Sequence, residues 1–272
     1  MKKIPKKYQP RGFAILHEDL DIVVGNKAPG ALTVAAKWNS DDTVHSALNS
    51  YVRKGNPRSN KVVYVVHRLD QATSGVLVFA KTEEVMDFLK NNWKTFTKTY
   101  YAIVHGKMAK KSGTIQSFLS EDEDYLVHSS QNAEQGKLAI TEYTVLKETD
   151  KFSLLKINLR TGKKNQIRVH LAGEGHPIVG DTKYGKSPAP GKNPAPLKEL
   201  RLHSAELEIT HPHSKKRVSF RAPVPAYFRS LIEYNYNSLD PVSLGSSSVL
   251  AQEVKAPSQP KRPERNPKGP QK

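Results

Sequence analysis

The stretch KVVYVVHRLDQATSGVLVFAKT, residues 61–82, contains two apolar runs joined by a short polar segment. Residues 61–66 and 75–80 are rich in β-branched and aromatic side chains and contain no proline, so the pattern predicts two strands. The polar segment between them carries His67, Arg68 and Asp70. Because ionised groups beside buried strands cost free energy unless they are paired or used, we expect this segment to border a cleft.

The same segment also has the composition of a turn, which is the simpler explanation. Asp70, Thr73 and Ser74 can hydrogen-bond to nearby backbone groups, and Gly75 can begin the second strand. A turn explains these residues but gives no reason for the His-Arg pair that precedes Asp70. Because short motifs match often by accident, spacing alone favours the turn.

Charge and composition limit the classes of function. The chain has 272 residues, a net charge of +17 and a pI near 9.8, which favour a polyanionic partner, with nucleic acid the leading one. No apolar run approaches the roughly 18 residues needed to span a bilayer, and the basic start leads into no signal core. Without cysteine, disulfides, a thiolate nucleophile and Cys-ligated zinc are excluded, which fits a cytoplasmic protein.

Composition also divides the chain into three parts. Residues 237–272 are rich in Ser, Pro and Lys, have no aromatic residue and carry a net charge of +3, a composition typical of a disordered tail. Residues 1–12 form a basic arm, and residues 13–236 form the folded part. Most of the positive charge therefore belongs to the folded part.

The folded part mixes many strands with few helices. Strand patterns also cover residues 13–17, 21–27, 100–105, 114–118, 139–147, 152–160, 202–210 and 217–221. Helical patterns cover residues 43–53, 83–93, 166–172 and 227–236. This mixture predicts an α+β fold with a mixed or largely antiparallel sheet.

A second candidate site lies in RTGKKNQIRVHLAGEGHPIVGD, residues 160–181. Four cations crowd the end of a predicted strand and the start of a predicted helix, a place that favours anions: Arg160, Lys163, Lys164 and Arg168. Arg168 lies between apolar neighbours, which indicates a carboxylate or phosphate partner. An ordinary internal salt bridge, or a side chain that extends out to solvent, is the alternative.

A third segment, FTKTYYAIVHG at residues 96–106, places Lys98, Tyr100 and His105 where they could line a cleft. Taken alone, Tyr100 is more typical of a packing residue with a bonded hydroxyl. The histidines lack the partners of a metal site, and neither a Walker-type loop nor GxGxxG occurs, so we expect no metal and no nucleotide cofactor.

Together these segments resemble a known family. HRLDQATSG followed by VLVFAKT, then KTYYAIVHG, TGKKNQIRVHLAGEGHPIVGDTKYG and LHSAELEITHP are similar in order and spacing to the RluA-type RNA pseudouridine synthases. The resemblance runs from about residue 15 to residue 225 and includes the opening HEDLDIVVGNKAPG. It implies one catalytic domain, residues 13–236, with a long, mostly antiparallel mixed β-sheet, flanking helices and a central cleft.

The resemblance also implies roles for individual residues. Asp70 corresponds to the catalytic aspartate, Tyr100 to the tyrosine that stacks on the target base, and Arg168 to the basic residue paired with the aspartate. Arg68 corresponds to the arginine that reaches into the RNA beside the extruded nucleotide. The other residues expected to contact the RNA are His67, Thr73, Lys98, Lys163, Lys164, Asn165 and Gln166.

Three positions depart from the family pattern. Asn165 stands where the family most often has His, and it keeps a hydrogen-bond donor, so we expect activity with a different local RNA contact. Lys163 replaces the usual Arg and loses its bidentate fork. NKAPG, residues 26–30, reverses the common NKPAG order, which should adjust only a turn.

The implied reaction isomerises uridine to pseudouridine in ribosomal or transfer RNA after the base is flipped out of its stack. An isomerisation needs no metal or redox cofactor. Residue patterns leave open whether Asp70 attacks the sugar, attacks the base or acts only as a base. We expect a monomer with no obligate protein partner, and we expect loops such as residues 187–196 to choose the RNA site.

Two other functions would account for part of the sequence. A non-catalytic RNA-binding protein would explain the charge but not the conjunction of Asp70, Tyr100 and Arg168. A glycosidase would need a second acid across the bond, and the acids nearest the motifs are Glu142 and Asp181.

Overall fold

One 11-stranded sheet organises the described part of the chain, which in this computed structural model comprises residues 9–35, 42–54, 56, 58–185 and 199–236. The predicted arm up to residue 8, the predicted tail at 237–272 and the loop at 187–196 lie outside the described residues. All described residues fall within one compact unit. None of the described helices is long and apolar enough to cross a membrane.

The strands are β1 (Phe13–Glu18), β2 (Ile22–Lys27), β3 (Tyr64–Val65), β4 (Ser74–Ala80), β5 (Thr97–His105), β6 (Ser112–Glu121), β7 (Val127–Ser130), β8 (Lys137–Glu148), β9 (Phe152–Leu159), β10 (Leu202–Thr210) and β11 (Arg217–Arg221). The helices are α1 (Val44–Arg53), α2 (Glu83–Asn91), α3 (Gln166–Gly173) and α4 (Ala226–Arg229). Short 3-10 turns cover Trp93–Thr95 and Ala133–Gln135.

The strands follow the order β1-β2-β4-β10-β5-β9-β8-β6-β7, and β3 and β11 pair with β4 and β10. Every strand pair in this sheet is antiparallel except β4 with β10. A mixed, mainly antiparallel sheet with few helices confirms the predicted α+β class.

The parallel contact at the centre of the sheet is short. His203 pairs with Ser74 and Ser204 with Gly75, after which β11 takes over the same edge of β10. Gly75 has φ +116°, and a Cβ there would lie 2.1 Å from the carbonyl oxygen of Ser204, so only glycine permits this approach. Since β4 and β10 both begin at this contact, the segment before β4 lies at the middle of the sheet.

Both faces of β4 are buried, which explains its continuous apolar run. Leu77 and Phe79 pack into a cluster that includes Leu48 of α1, and Val76 and Val78 pack into another that includes Leu89 of α2. The polar segment that precedes β4 is therefore attached to a rigid, buried strand.

The predicted strand at residues 61–66 is wrong over most of its length, because regular pairing covers only β3. Helix α1 supplies the missing partners: the N–H of Val63 donates to Oδ1 of Asn49 at 2.8 Å, and the ring of His45 donates to the carbonyl oxygen of Val63 at 2.8 Å. Side chains of a neighbouring helix thus replace the hydrogen bonds of a ladder.

The predicted helix at residues 227–236 is also wrong beyond Arg229. The N–H groups of Leu231 and Ile232 both point to the carbonyl oxygen of Phe228, at 3.2 and 3.3 Å, so the chain turns and leaves the helix. The ring of Tyr236, beyond the helix, packs on the ring of Phe228 within it, with centroids 6.3 Å apart. Tertiary packing decides this segment.

Candidate active site

A cleft of about 370 Å³ opens where the segment before β4 meets β5 and the start of α3, a volume in the range of small-molecule pockets. All eleven residues expected at the site line it: His67, Arg68, Asp70, Thr73, Lys98, Tyr100, Lys163, Lys164, Asn165, Gln166 and Arg168. Residues that are almost 100 positions apart in sequence therefore meet at one place. Their individual roles stay predictions.

Asp70 occupies a turn that leads into β4, where the N–H of Thr73 donates to its carbonyl oxygen at 3.0 Å. Its carboxylate is 28% exposed and accepts hydrogen bonds from Nη1 of Arg168 at 3.2 Å and from Nδ2 of Asn165 at 2.6 Å. The turn and the predicted ion pair are thus both present. Among the described residues that line the cleft, Asp70 is the sole carboxylate.

Arg168 is held from its other side by a second acid, Asp181. Nε and Nη2 of Arg168 donate to the two oxygens of Asp181 at 2.8 Å each, and the N–H groups of Lys183 and Tyr184 donate to Oδ1 of the same carboxylate. Burial raises the pKa of Asp181, but Arg168 and the two amides outweigh burial and hold the pKa below its usual value. Burial lowers the pKa of Arg168, while its two carboxylate partners raise it above normal, so the guanidinium stays charged.

Tyr100 lies on β5, between Ile157 of β9 and Ser204 of β10. It is only 8% exposed, and its ring forms part of the cleft wall. Burial and the nearby charge of Asp70 raise the pKa of Tyr100 to about 12, although a hydrogen bond with Ser204 acts in the opposite direction. The site therefore offers a neutral phenol ring on a central strand.

His67 and Lys98 both contact Trp93, a residue just after α2. The rings of His67 and Trp93 are 4.4 Å apart, and Nζ of Lys98 donates to the Trp93 carbonyl oxygen at 3.0 Å. Burial and the charge of Lys98 lower the pKa of His67 to about 3, and its Nε2 accepts the N–H of Val78 at 3.2 Å. Burial and the charge of Arg160 lower the pKa of Lys98 to about 8. His67 is thus neutral, and Lys98 is the cation of this wall.

Three cations at the rim differ in how free they are. Arg68 and Lys163 are exposed, and their side chains have no hydrogen bond or ion pair with the residues that the structure describes. Lys164 is already paired with Glu121 and lies 5.1 Å from the ring centroid of Tyr125. Arg68 and Lys163 are therefore the cations most available to a phosphate.

With this geometry in place, comparison with known proteins decides the family. A sequence model described as RNA pseudouridylate synthase matches residues 21–173. The chain belongs to the RNA pseudouridylate synthase family. The resemblance to RluA-type RNA pseudouridine synthases is confirmed, and the chain is an isomerase that acts on RNA.

Two relatives show how far the likeness extends. "Uncharacterized RNA pseudouridine synthase YlyB" of Bacillus subtilis is 33% identical over 237 residues, which cover 83% of this chain and 73% of the relative. "Ribosomal large subunit pseudouridine synthase D" of Borreliella burgdorferi is 37% identical over 202 residues, which cover 72% of this chain and 61% of the relative.

A solved structure shows the same fold. The structure titled "Human RNA Pseudouridylate Synthase Domain Containing 4" matches with a TM-score of 0.67 and 24% sequence identity, covering 82% of this chain and 92% of that chain. At this identity the match supports the fold alone, and it agrees with the sheet described above.

In this synthase, Gln166 and Thr73 are the most buried of the described residues that line the cleft, each 2% exposed. Nε2 of Gln166 donates to Thr141 Oγ1 at 2.9 Å, and its Oε1 accepts from Thr161 Oγ1 at 2.8 Å and from the N–H of Lys163 at 3.1 Å. These bonds fix the start of α3. Oγ1 of Thr73 is buried and has no hydrogen-bond partner among the described residues.

Sequence patterns do not indicate Trp93 or Tyr184 for this site, and they name Asp181 only as a possible second acid of a glycosidase, not as the partner of Arg168. Asp181 follows α3 and forms a turn with the two amides just after it, so the signal available was an acid next to a Thr-Lys-Tyr turn. Trp93 was detectable only as an aromatic residue five positions before Lys98. Neither spacing indicates contact with Asp70 or with its partners.

Several other candidates lie outside the cleft. His105 packs on the ring of Phe152, with centroids 5.6 Å apart, and does not line the cleft. Glu142 is held by Nε of Arg160 at 2.8 Å and by Asn158 at 2.9 Å. With Glu142 and Asp181 both absent from the cleft wall, the paired carboxylates of a glycosidase are not assembled there.

The described residues contain one group with the donor atoms of a cation site, formed by Asp19, Asp21 and His211. Their ligand atoms lie within 4.8 Å of one another, and none of the three lines the cleft. The Asp19 carboxylate already bonds to His17 at 2.7 Å and to His211 at 2.9 Å. These contacts account for the cluster as a network at the turn between β1 and β2.

Proposed function

We propose that this synthase converts uridine to pseudouridine in ribosomal RNA of the large subunit and that Asp70 supplies the reacting carboxylate. The observation that carries the proposal is Asp70, bonded to Arg168 at 3.2 Å inside a cleft whose wall also contains Tyr100. Ribosomal RNA is chosen because several relatives are named large-subunit pseudouridine synthases.

The chemistry requires a carboxylate that stays charged away from water. The bond from ring nitrogen 1 of uracil to ribose breaks, the base turns, and ring carbon 5 bonds to ribose instead. Carbon 5 then loses its proton and nitrogen 1 gains one, so the product is an isomer. A carboxylate can attack an electron-poor centre and leave later, and the charge-assisted hydrogen bond from Arg168 holds the Asp70 carboxylate in place.

Base flipping gives Tyr100 and Arg68 their proposed roles in the cleft. Extruding a nucleotide costs roughly a few kcal/mol, because stacking and pairing are lost. Stacking of the uracil on Tyr100 offsets about 1–3 kcal/mol of that cost. The exposed guanidinium of Arg68 fills the space that the base leaves.

The other expected contacts divide by charge. Lys98, Lys163 and Lys164 bind phosphates and fix the position of the RNA without reading its sequence. His67, Thr73, Asn165 and Gln166 form the uncharged part of the wall beside the base and Asp70.

At the level of the whole chain, we propose a catalytic domain at residues 13–236, a basic arm at 1–12 and a basic tail at 237–272 that binds RNA. We also propose a monomer in the cytoplasm, where ribosomal and transfer RNA are used. The cleft supports a monomer because one chain supplies Asp70, Arg168 and Tyr100.

Pseudouridine maps of ribosomal and transfer RNA, from cells with and without this gene, test the substrate. We expect the loss of one or a few positions in large-subunit RNA and their return when the wild-type gene is restored. A loss confined to transfer RNA would move the substrate to that class. If cells without the gene keep every pseudouridine in both classes of RNA, the proposal is contradicted.

Asp70→Asn tests the residue. The amide keeps the shape of the side chain but removes the reacting charge, so we expect no pseudouridine in a single-turnover assay. RNA affinity should stay within about threefold of wild type, because phosphate contacts dominate binding. Normal turnover by this variant would remove Asp70 from catalysis.

A further inference from the structure

A directional chain of hydrogen bonds ends on Asp70. The N–H of Val127, on β7, donates to the hydroxyl oxygen of Tyr184 at 3.1 Å. Tyr184 donates to Oδ1 of Asn165 at 3.0 Å, and Nδ2 of Asn165 donates to Oδ2 of Asp70 at 2.6 Å. The three hydrogen bonds therefore run in one direction, from the backbone of β7 to the carboxylate of Asp70.

The chain fixes which way the Asn165 amide points. An amide oxygen only accepts, so the hydroxyl of Tyr184 must donate to Oδ1, which leaves the NH₂ group facing Asp70. A flipped amide would place its oxygen against the carboxylate oxygen at 2.6 Å, which is repulsive. Burial raises the pKa of Tyr184, so its hydroxyl keeps the proton that it donates.

The backbone at Asn165 supports this arrangement. Asn165 has φ +52° and ψ +18°, a left-handed conformation that asparagine adopts more readily than most residues. It precedes α3, yet its side chain caps none of the helix amides. The side chain is instead committed to Asp70 and Tyr184.

Both hydrogen bonds to Asp70 fall on the same oxygen. Asn165 and Arg168 each donate to Oδ2, whereas Oδ1 accepts no hydrogen bond from any residue that the structure describes. Two donors on one oxygen fix the rotation of the carboxylate and leave the lone pairs of Oδ1 free.

We propose that Tyr184 and Asn165 form a positioning relay that holds Oδ2 of Asp70 and presents Oδ1 as the reacting oxygen. The inference rests on the proposed role of Asp70. Arg168 supplies charge at this carboxylate, and the neutral relay supplies orientation. Tyr184 contacts both of the residues that donate to Asp70, because its hydroxyl bonds to Asn165 and the guanidinium of Arg168 lies 5.1 Å from its ring centroid.

A double-mutant cycle tests the relay. Asn165→Gly removes the amide and tolerates the left-handed backbone, and Tyr184→Phe removes only the hydroxyl. In single-turnover assays we expect each change to slow pseudouridine formation about 10- to 100-fold, because small misplacements of a reacting group are costly. RNA affinity should stay within about threefold of wild type, because phosphate contacts dominate binding. The double variant should be no slower than Asn165→Gly alone, because the hydroxyl acts through the amide.

Additive losses in the cycle would show that Tyr184 does not act through Asn165 and would overturn the relay. Asn165→His, which also tolerates the left-handed backbone and restores a donor, should recover most of the rate. A His variant as slow as the Gly variant would contradict the inference as well. Tyr236→Phe is the matched control, because its hydroxyl bonds to the carbonyl oxygen of Ile232 at 3.2 Å, outside the cleft, and its rate should equal wild type.

Thermal unfolding of each variant separates loss of fold from loss of orientation. If one single variant loses its fold, a wild-type rate in the other single variant still overturns the relay. The relay and the proposed function also fail in different ways. If Asp70→Asn retains turnover, the role of Asp70 is wrong. If Asp70→Asn is inactive but Asn165→Gly turns over at the wild-type rate, only the relay is wrong.

Discussion

Arg168 is the residue that connects the chemistry of the cleft to the stability of the fold. One of its nitrogens donates a hydrogen bond to Asp70, and the other two donate to the fully buried carboxylate of Asp181. A guanidinium can satisfy two carboxylates at once because its donors form a planar fork. Asp181 therefore fixes the plane of Arg168, and that plane determines where Asp70 is held.

Asp181→Asn should damage stability and activity together. The change leaves Arg168, whose side chain is 11% exposed, without its bidentate partner. Breaking such a buried pair costs about 3 kcal/mol, which urea unfolding would measure. Pseudouridine formation should also slow. Glu142→Gln is the matched control, because the side chains of Arg160 and Glu142 are 60% and 33% exposed and such pairs contribute about 0–1 kcal/mol. Equal losses in the two variants would contradict this account.

Lys27 is a buried cation behind the same loop. Its Nζ donates to the carbonyl oxygens of Ala28, Ala31 and Gln71 at 3.0, 2.7 and 2.9 Å, so it joins the turn after β2 to the residue that follows Asp70. Burial lowers the pKa of Lys27 to about 7, although the charge of Asp70 acts in the opposite direction.

This shift predicts how stability depends on pH. In the unfolded chain a lysine loses its proton near pH 10.4, at about the ordinary value, so between pH 7 and 10 the unfolded state binds more protons than the native state. The free energy of unfolding should therefore rise with pH in this range, by up to roughly 1.4 kcal/mol per pH unit from this group. Lys27→Met should remove that rise, and the exposed Lys216→Met should not. Parallel pH profiles for wild type and Lys27→Met would contradict the assignment.

Sequence predicted eleven of the residues that line this cleft but missed residues that support them from behind. Asp70 and Arg168 stand out because a charge beside apolar residues needs a partner, and their motifs carry the family resemblance. Tyr184 and Lys27 also lie in segments that carry the resemblance, but their local patterns assign them no role, since a tyrosine after a turn and a lysine at a strand end are ordinary. Their importance arises from contacts across the fold, which local patterns do not contain.

At the scale of elements, the long periodic segments were predictable. β10 and β11 match the strands predicted at 202–210 and 217–221 residue for residue, and the helix expected at 166–172 is extended by one residue in α3. The sequence does not predict β7, because its four residues, Val-His-Ser-Ser, show no apolar alternation. Its backbone forms a strand by pairing with β6. The short β3 and the curtailed α4 show the same lesson: tertiary partners override local propensity.

Gly75→Ala tests the contact that places the segment carrying Asp70 at the middle of the sheet. A Cβ at this position would meet the backbone of Ser204 at 2.1 Å, and φ +116° adds strain, so β4 and β10 must separate. We expect a loss of about 3 kcal/mol in urea unfolding, since strain and overpacking add, together with slower pseudouridine formation. Gly30→Ala is the control: φ is +85°, but no atom lies within 4 Å, so its loss should be about 1–2 kcal/mol. Equal losses would mean that the close approach is not a constraint.

At the scale of the whole molecule, positive charge is spread over all three parts of the chain. Of the net +17, residues 237–272 contribute +3, residues 1–12 contribute +5 and residues 13–236 contribute +9. Binding of RNA phosphates should therefore be strong without the tail, and the tail should add a smaller, salt-sensitive increment.

Deleting residues 238–272 measures that increment. Six basic and three acidic residues leave with the segment, so RNA affinity should fall chiefly at low salt. Because each released counterion steepens the dependence of log affinity on log salt, the slope should become shallower by about 2, while the single-turnover rate at saturating enzyme stays unchanged. A full-length chain with those six basic residues changed to Gln separates charge from length, and it should bind no more tightly than the deletion. Unchanged affinity and slope in the deletion would assign the tail a role other than RNA binding, because its charge would then be making no phosphate contact.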